Sequence, residues 1–142
     1  MNLSVYCDGG ARGNPGPAAA GVVVEKDGQT LIRFGKLIGH ATNNVAEYQA
    51  VIAALNWLKT YFSSNSLPVR PQPIVFYLDS SLLVNQLIGN YKIKKPHLKA
   101  LAAEIFKLLE LLKLTAEFHH IPRSQNTQAD SLVNEALDQK IT

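Results

Sequence analysis

The spacing of the apolar residues changes from a strand period to a helix period within the first third of the chain, and this change limits the possible folds more than any other feature. Apolar and polar residues alternate from Leu3 to Asp8, and strand patterns follow over residues 18–25 and 30–38. We therefore predict three strands in an antiparallel meander, with the first ending at Asp8. Residues 9–17 are rich in Gly and Pro, so we expect a shaped loop there.

A helical period begins at Asn43 and continues to about residue 61, with Thr42 or Asn43 as the predicted N-cap. Val51 and Ala54 belong to its apolar stripe. Glu47 lies four and seven residues before them and projects from the same face. A carboxylate on the buried side of a helix is unexpected, so Glu47 is a candidate functional residue.

The second half of the chain continues with a strand, two helices, a further strand and a last helix, over residues 74–78, 80–88, 96–113, 115–121 and 127–140. This order predicts the α/β class, a mixed sheet with helices on its faces. Residues 67–73 resemble a linker, but cutting there would leave two pieces of about 70 residues with marginal cores. We predict one domain over residues 1–142.

The composition excludes several classes of protein. Apolar residues make up 46% of the 142 residues and charged residues 18%, which allows a core. The net charge of +3 permits a polyanionic partner without requiring one. A single cysteine, Cys7, excludes an intramolecular disulfide and a thiolate zinc cluster. The sequence has neither a long apolar run nor a signal peptide, so we expect a cytoplasmic protein.

Four acidic residues occupy comparable positions at the boundaries of predicted elements. Asp8 and Asp79 each end a strand, and parallel neighbouring strands would bring both to the carboxyl edge of the sheet, where open α/β sheets bind ligands. Glu47 projects from a helix that can cover that edge, and Asp130 lies in the first turn of the last helix. We expect the four carboxylates to converge.

Each of these acids also has a purely structural explanation. Asp79 is a possible N-cap of the next helix, Asp8 a cap of the Gly-rich turn, and Asp130 a partner of a helix dipole. If all four converge, their repulsion requires bound cations. Oxygen ligands suit Mg²⁺ or Mn²⁺ and not zinc, and two such ions roughly 4 Å apart promote phosphodiester hydrolysis without a nucleophilic Ser or His.

Four segments in this order resemble type 1 ribonuclease H. They are Asp8-Gly9-Gly10-Ala11-Arg12-Gly13-Asn14-Pro15-Gly16-Pro17, Thr42-Asn43-Asn44-Val45-Ala46-Glu47, Leu78-Asp79-Ser80 and Ile121-Pro122-Arg123-Ser124-Gln125-Asn126-Thr127-Gln128-Ala129-Asp130. The resemblance covers roughly residues 2–138. It implies the ribonuclease H-like fold, a five-stranded mixed sheet in the order 3-2-1-4-5 flanked by helices. It also implies cleavage of the RNA strand of RNA–DNA hybrids, leaving 5′-phosphate and 3′-hydroxyl ends.

The resemblance also assigns residues to the site. It implies that two Mg²⁺ ions, replaceable by Mn²⁺, are held by Asp8, Glu47, Asp79 and Asp130. It places six further residues in the substrate groove, namely Gly10, Gly13, Asn14, Thr42, Asn43 and Asn44. Amides suit the detection of 2′-hydroxyl groups because they both donate and accept hydrogen bonds. Helix capping is the alternative explanation for Asn43 and Asn44.

The chain departs from the well-known bacterial pattern near its last acid. A Gly-rich loop containing His is replaced by His119-His120-Ile121-Pro122-Arg123, which is similar to a shorter variant of the family. We expect Arg123 to be the auxiliary residue that contacts the scissile phosphate. His119 and His120 are consecutive on a strand and face opposite sides, so both cannot serve the site. The Lys-rich protrusion of some members is also missing.

Other functions remain open at this point. A non-catalytic hybrid-binding domain and a DNA-directed nuclease of the same fold are the alternatives. The four acids argue against the first, and the Asn residues of the predicted groove argue against the second. A phosphate-binding loop is not indicated, because the glycines have even spacing and no helix follows them. We expect no obligate protein partner and a monomer.

Overall fold

A computed structural model describes residues 2–64 and 73–141 of the chain. Its elements in chain order are β1 (Leu3–Ala11), β2 (Gly16–Lys26), β3 (Gln29–Ala41), α1 (Asn43–Ser64), β4 (Ile74–Leu78), α2 (Ser81–Leu87), α3 (Pro96–Leu112), β5 (Ala116–His120), a 3-10 turn (Arg123–Gln125) and α4 (Thr127–Ile141). The predicted surface connection at 67–73 lies almost entirely outside the described residues. No helix in the described part of the chain is long and apolar enough to cross a membrane.

The five strands form one mixed sheet in the order β3-β2-β1-β4-β5, which confirms the expected fold. The first three strands pair antiparallel, whereas β1 pairs in parallel with β4, and β4 with β5. Cys7 lies opposite Leu78 in the β1–β4 pair. The residues that follow them, Asp8 within β1 and Asp79 just after β4, therefore lie side by side at the carboxyl end of this parallel pair.

The main core lies between one face of the sheet and helices α1 and α3. Val5 and Phe76 of the central strands pack there with Leu55 of α1 and Ile105 of α3, and all four are fully buried. Helix α4 covers the opposite face of β1, β2 and β3. Side chains alternate between the two faces of a strand, and Cys7 belongs to the main core on the α1 face. The next residue, Asp8, therefore lies on the α4 face of the sheet.

Two glycines allow the helices to approach the sheet closely. A Cβ atom at Gly9 of β1 would overlap the backbone carbonyl of Ala46 in α1, and one at Gly21 of β2 would overlap the carbonyl of Ala129 in α4. Only glycine permits such backbone-to-backbone contact. Because Ala46 precedes Glu47 and Ala129 precedes Asp130, both contacts bring an acid of a helix towards Asp8.

The end of β1 differs from the prediction. The strand was expected to end at Asp8, but it continues to Ala11 and pairs with β2 throughout. Gly9 and Gly10 have weak strand propensity and masked this continuation, whereas the pairing of residues 9–11 with Ala18, Ala19 and Ala20 stabilises it. The Gly-rich segment is therefore mostly a β-hairpin, and only residues 12–15 form its turn.

Candidate metal and nucleic-acid site

All four predicted carboxylates line a single cleft of about 340 Å³ at the carboxyl edge of β1 and β4. Asp8 comes from β1, Glu47 from α1, Asp79 from the residue after β4, and Asp130 from the first turn of α4. Four separate elements therefore bring the acids into one cleft, which agrees with the predicted convergence at the level of the cleft.

Asp79 is not the N-cap of the helix that follows it. That role belongs to Ser80, whose hydroxyl oxygen accepts a hydrogen bond from the Leu83 N–H at 3.1 Å. The carboxylate of Asp79 is only 7% exposed, and its Oδ2 atom is buried without a hydrogen-bond partner. The structural explanation of Asp79 as a cap is wrong, and a buried carboxylate oxygen without a hydrogen bond faces the cleft instead.

Glu47 is in a similar position on α1. Thr42 caps this helix, accepting from the Val45 N–H at 3.2 Å, so Glu47 has no capping role. Its Oε2 atom is buried and has no partner. Burial raises the pKa of Glu47, a hydrogen bond with the Ser80 side chain lowers it, and the negative charge of Asp79 raises it further.

Asp8 is the most perturbed of the four acids. Burial is the largest cause and raises the pKa of Asp8 to about 8, with further contributions from the charges of Asp79 and Asp130, a hydrogen bond with Asp130, and the charge of Glu47. A carboxylate surrounded by three others on a partly desolvated surface is unfavourable unless protons or cations neutralise it. The electrostatics of the cleft therefore favour a bound cation.

The donor set fits a hard divalent cation. The cleft offers carboxylate oxygens, two of them buried and unpaired, and these are the ligands that Mg²⁺ and Mn²⁺ prefer. Cys7 belongs to the core, where burial raises the pKa of its thiol and keeps it protonated. Within residues 2–64 and 73–141, no three His, Cys, Asp or Glu side chains are grouped closely enough to hold a metal. The four acids line the same cleft, but they are not clustered closely around a single position.

Arg123 lies at the rim of this cleft, in the 3-10 turn before α4. Its Nε atom is 4.0 Å from Oδ2 of Asp79, and its side chain is 83% exposed. A guanidinium in this position can contact a phosphate group that enters the cleft. Neither His119 nor His120 is among the described residues that line the cleft, and His119 pairs instead with Glu117 at 2.9 Å.

The predicted substrate residues divide into two groups. Gly10 and Asn43 line the cleft itself. Gly13, Asn14, Thr42 and Asn44 are not among the described residues that line it; they belong to the hairpin turn and to the start of α1. Gly13 has a φ of 100°, so the turn requires glycine there.

Asn14 and Asn43 also connect the hairpin to α1. The side-chain oxygen of Asn43 accepts from the Ala11 N–H at 2.9 Å, and that of Asn14 accepts from the Asn43 N–H at 3.0 Å. The oxygen of each amide thus joins the hairpin to α1, and each amide retains its Nδ2 group as a hydrogen-bond donor. The capping alternative for Asn43 is replaced by this link between two segments.

Three residues near the carboxylates were not predicted. Arg12 and Asn134 line the cleft, and Arg12 is paired with Asp138 at 2.7 Å. Asn126 is 2% exposed and joins the start of α4 to β1. The presence of a basic residue in a Gly-rich hairpin could have identified Arg12 as a candidate. The burial of Asn126 cannot be recognised from the local pattern of the sequence.

Comparison with known proteins gives consistent matches over the whole chain. A family model described as "Reverse transcriptase-like" matches residues 6–136. A protein named "Ribonuclease HI" from Halobacterium salinarum is 41% identical over 140 residues, which are 96% of this chain and 64% of that protein. The "Bifunctional protein Rv2228c" from Mycobacterium tuberculosis is 37% identical over 140 residues, which are 97% of this chain and 36% of that protein.

Solved structures show the same relationship. The crystal structure of LC11-RNase H1 in complex with an RNA/DNA hybrid superposes with a TM-score of 0.90 at 41% identity, covering 99% of this chain and 100% of that one. RNase H1 from Halobacterium salinarum superposes with a TM-score of 0.85 at 38% identity, covering 98% and 99%. The chain spans 36% to 64% of the length of the first curated relatives it matches, whereas it covers these two structures almost completely.

Proposed function

The chain belongs to the reverse transcriptase-like family, and within it to the type 1 ribonucleases H, and from this premise we propose that it hydrolyses the RNA strand of RNA–DNA hybrids. The proposed reaction is endonucleolytic and leaves 5′-phosphate and 3′-hydroxyl ends. We further propose that residues 1–142 form one catalytic domain that acts as a monomer, without an obligate protein partner, in the cytoplasm.

The observation that supports this proposal best is the cleft in which four carboxylates meet. Two of their buried oxygen atoms have no hydrogen-bond partner, and burial raises the pKa of Asp8 to about 8. A structural role would pair these oxygens, whereas a cation site leaves them free for ligands. We therefore propose that Asp8, Glu47, Asp79 and Asp130 hold the divalent metal on which this family depends.

We propose two Mg²⁺ ions, for which Mn²⁺ can substitute. When bound, such a pair supplies an activated water and neutralises charge on the attacking and leaving oxygens of a phosphodiester. The carboxylates themselves need no proton transfer role, and their contribution is to fix positions on a rigid sheet edge. The exposed guanidinium of Arg123 contributes a positive charge for the scissile phosphate at the rim of the cleft.

Recognition of the hybrid rests on small and amide residues beside the carboxylates. Gly10 lets a nucleic acid approach the backbone of β1, and Gly13 shapes the hairpin turn that carries Asn14. The Nδ2 donors of Asn14 and Asn43, with Thr42 and Asn44 beside them, suit contacts to 2′-hydroxyl and sugar oxygens in a shallow minor groove. These contacts would favour a strand of RNA over a strand of DNA.

The first experiment compares the wild-type protein with Asp8→Asn and Asp79→Asn on end-labelled RNA–DNA hybrid, duplex RNA and duplex DNA, in Mg²⁺ and in EDTA. We expect cleavage of the RNA strand of the hybrid only, dependent on metal, and at least about 1,000-fold slower in either variant. Circular dichroism controls for folding. Cleavage in EDTA, or equal cleavage by Asp79→Asn, would refute the mechanism.

The same experiment separates the alternatives. Cutting of duplex DNA at a rate similar to that of the hybrid would identify a DNA-directed nuclease of this fold. Tight binding of the hybrid without cleavage in Mg²⁺ or Mn²⁺ would identify a binding domain.

Arg123 is tested separately by Arg123→Ala and Arg123→Lys, with His119→Ala as the control. We expect Arg123→Ala to lower kcat about 10- to 100-fold, because it removes a positive charge at the scissile phosphate. Arg123→Lys should recover part of the rate. His119→Ala should leave kcat unchanged, because His119 pairs with Glu117 away from the cleft. Full turnover by Arg123→Ala would remove Arg123 from the mechanism.

A further inference from the structure

Asn126 stands out because it is the one amide or charged side chain that is buried among residues 2–64 and 73–139, with 2% of its surface exposed. It follows the 3-10 turn and immediately precedes α4. Burial of an amide is unfavourable unless hydrogen bonds compensate for it. The hydrogen bonds of Asn126 therefore indicate what the residue does.

These hydrogen bonds connect Asn126 to three segments that line the cleft. The Nδ2 group of Asn126 donates to the carbonyl of Cys7 at 2.9 Å, and Cys7 directly precedes Asp8. The backbone carbonyl of Asn126 accepts from the N–H of Asp130 at 3.1 Å, and its own N–H donates to the carbonyl of Arg123 at 2.9 Å. One buried residue thus joins the segments that carry Asp8, Arg123 and Asp130.

The link is needed because the groups it brings together repel each other when charged. Asp8 of β1 and Asp130 of the first turn of α4 line the same cleft. Without bound cations, the repulsion between two carboxylates would move the first turn of α4 away from β1. The contact of Gly21 with Ala129 and the bond from Asn126 to Cys7 oppose that movement.

We infer that Asn126 is a positioning residue that fixes the spacing of Asp8 and Asp130 and thereby sets the affinity of the site for a divalent cation. The inference rests on the proposed function, since it assumes that these two acids bind metal. Asn126 is not among the described residues that line the cleft, so it acts through its neighbours and not through contact with substrate. Its Oδ1 atom is buried without a partner, so the amide is only half satisfied and its donor side makes the link.

The test compares the metal dependence of the wild-type protein with that of Asn126→Ala and Asn126→Asp. Both changes remove the donor to Cys7, and Asn126→Asp preserves the shape of the side chain. We expect the Mg²⁺ and Mn²⁺ concentrations for half-maximal cleavage to rise about 10- to 100-fold, the range for residues that orient metal ligands. The KM for the hybrid should change less than about twofold, because the residue does not contact substrate.

A second readout does not depend on activity. Mn²⁺ should raise the midpoint of thermal unfolding of the wild-type protein, because it binds only the folded state. This increase should be smaller in both Asn126 variants at equal Mn²⁺ concentration. Leu132→Ala is the matched control: Leu132 is buried in α4 but does not line the cleft, so its truncation destabilises the same helix without touching the link to Cys7.

Leu132→Ala should unfold at a lower temperature but keep the metal dependence of the wild type. The inference is wrong if both Asn126 variants show wild-type metal dependence, or if Leu132→Ala shifts it equally. Should Asn126→Ala fail to fold, the comparison of Asn126→Asp with Leu132→Ala decides. A wild-type protein that neither cleaves hybrid nor is stabilised by Mn²⁺ would instead refute the proposed function.

Discussion

Strands β1 and β4 lead from the hydrophobic core to the carboxylate cleft, and burial of side chains has opposite effects on stability in these two regions. In the core, Val5 and Phe76 are covered by apolar side chains, and burial of such a group contributes about 1.5–3 kcal/mol to stability. Further along, in the cleft, lie Asp8 of β1 and Asp79 just after β4, both partly removed from water. Burial there disfavours the charged form of Asp8 and raises its pKa, so the cleft lowers the stability that the core provides.

This contrast explains why the carboxylates of the cleft are held in place by backbone contacts and by amide side chains, and not by one another. Gly9 of β1 lies against Ala46 of α1, and Gly21 of β2 lies against Ala129 of α4, so each helix meets the sheet where no side chain intervenes. The carboxylates cannot hold each other in place because they repel. Bound cations would replace the repulsion between the carboxylates of the cleft by attraction to the cations, and they would leave the apolar contacts of the core unchanged. The two regions should therefore respond independently to substitution, pH, metal and salt.

The contact at Gly9 is where the two regions meet, and its loss should have the largest effect. In Gly9→Ala, the new Cβ atom overlaps the Ala46 carbonyl, so α1 must move away from β1. We expect a loss of more than about 4 kcal/mol of unfolding free energy and no detectable cleavage of hybrid. Urea unfolding followed by circular dichroism measures the first, and the labelled-hybrid assay measures the second.

Gly10→Ala is the control for stability, because its Cβ would meet only Val133 Cγ1 at 3.5 Å, an ordinary contact. Its unfolding free energy should stay within about 1 kcal/mol of the wild type. Equal stability of Gly9→Ala and Gly10→Ala would contradict the view that α1 needs backbone contact with β1.

A substitution at the other end of β4 should affect the core alone. Ile74 is fully buried, and Ile74→Ala should lower the unfolding free energy by about 3 kcal/mol through lost burial and a new cavity. The increase in unfolding temperature on addition of Mn²⁺ should stay as in the wild type. A reduced response to Mn²⁺ in this variant would show that the core and the cleft are coupled.

The pH dependence of stability should come from the cleft. Since the folded-state pKa of Asp8 is raised to about 8, the folded protein binds a proton that the unfolded chain releases near pH 4. In EDTA, the contribution of this proton is complete below about pH 4 and is lost as the pH rises through about 8. The unfolding temperature should therefore fall over this interval.

Asp8→Asn carries no titrating group at this position, so its unfolding temperature in EDTA should depend less on pH and exceed that of the wild type near pH 8. Scanning calorimetry at several pH values measures both quantities. An identical pH profile for the two proteins would show that Asp8 is not the group responsible.

The smallest effect is expected for Arg12, which lines the cleft and pairs with Asp138 at 2.7 Å. This pair is partly exposed, so Arg12→Ala should change stability by less than about 1 kcal/mol. If Arg12 contacts a phosphate, the slope of log Kd for hybrid against log salt should fall by about 0.7–0.9. Binding is measured on the Asp79→Asn background to prevent cleavage.

Arg33→Ala is the matched control, since Arg33 is an exposed arginine of β3 that is not among the described residues lining the cleft. Its salt dependence should equal that of the parent protein. Equal slopes for Arg12→Ala and Arg33→Ala would remove Arg12 from the binding surface.

Much of this arrangement could be predicted from the sequence because local patterns specify it. The change of period at Asn43 located α1, and the apolar run before Asp79 located β4. The positions of Asp8 and Asp79 after buried residues of parallel strands predicted a shared edge, which the structure confirms. The order of the strands came from the resemblance to a family, since no local pattern distinguishes which strands become neighbours.

The features that were missed depend on contacts between distant segments. Strand β1 continues through Gly9 and Gly10 because β2 pairs with it, although glycine does not favour strands. Asn126 is buried because α4 docks beside Cys7, 119 residues away in the chain. The hydrogen bond from the Asn43 N–H to the side-chain oxygen of Asn14 likewise joins segments 29 residues apart. Patterns within one element cannot reveal such partners.

The position of Asp130 on the last helix has a consequence for the synthesis of the protein. A ribosome that has released the chain only as far as β4 has already made Asp8, Glu47 and Asp79, but not the fourth acid or the helix that covers the sheet beside them. Until α4 leaves the ribosome, the cleft lacks both Asp130 and the helix that fixes the distance between this acid and Asp8. A nascent chain therefore carries an incomplete set of acids until residues 127–141 have left the ribosome.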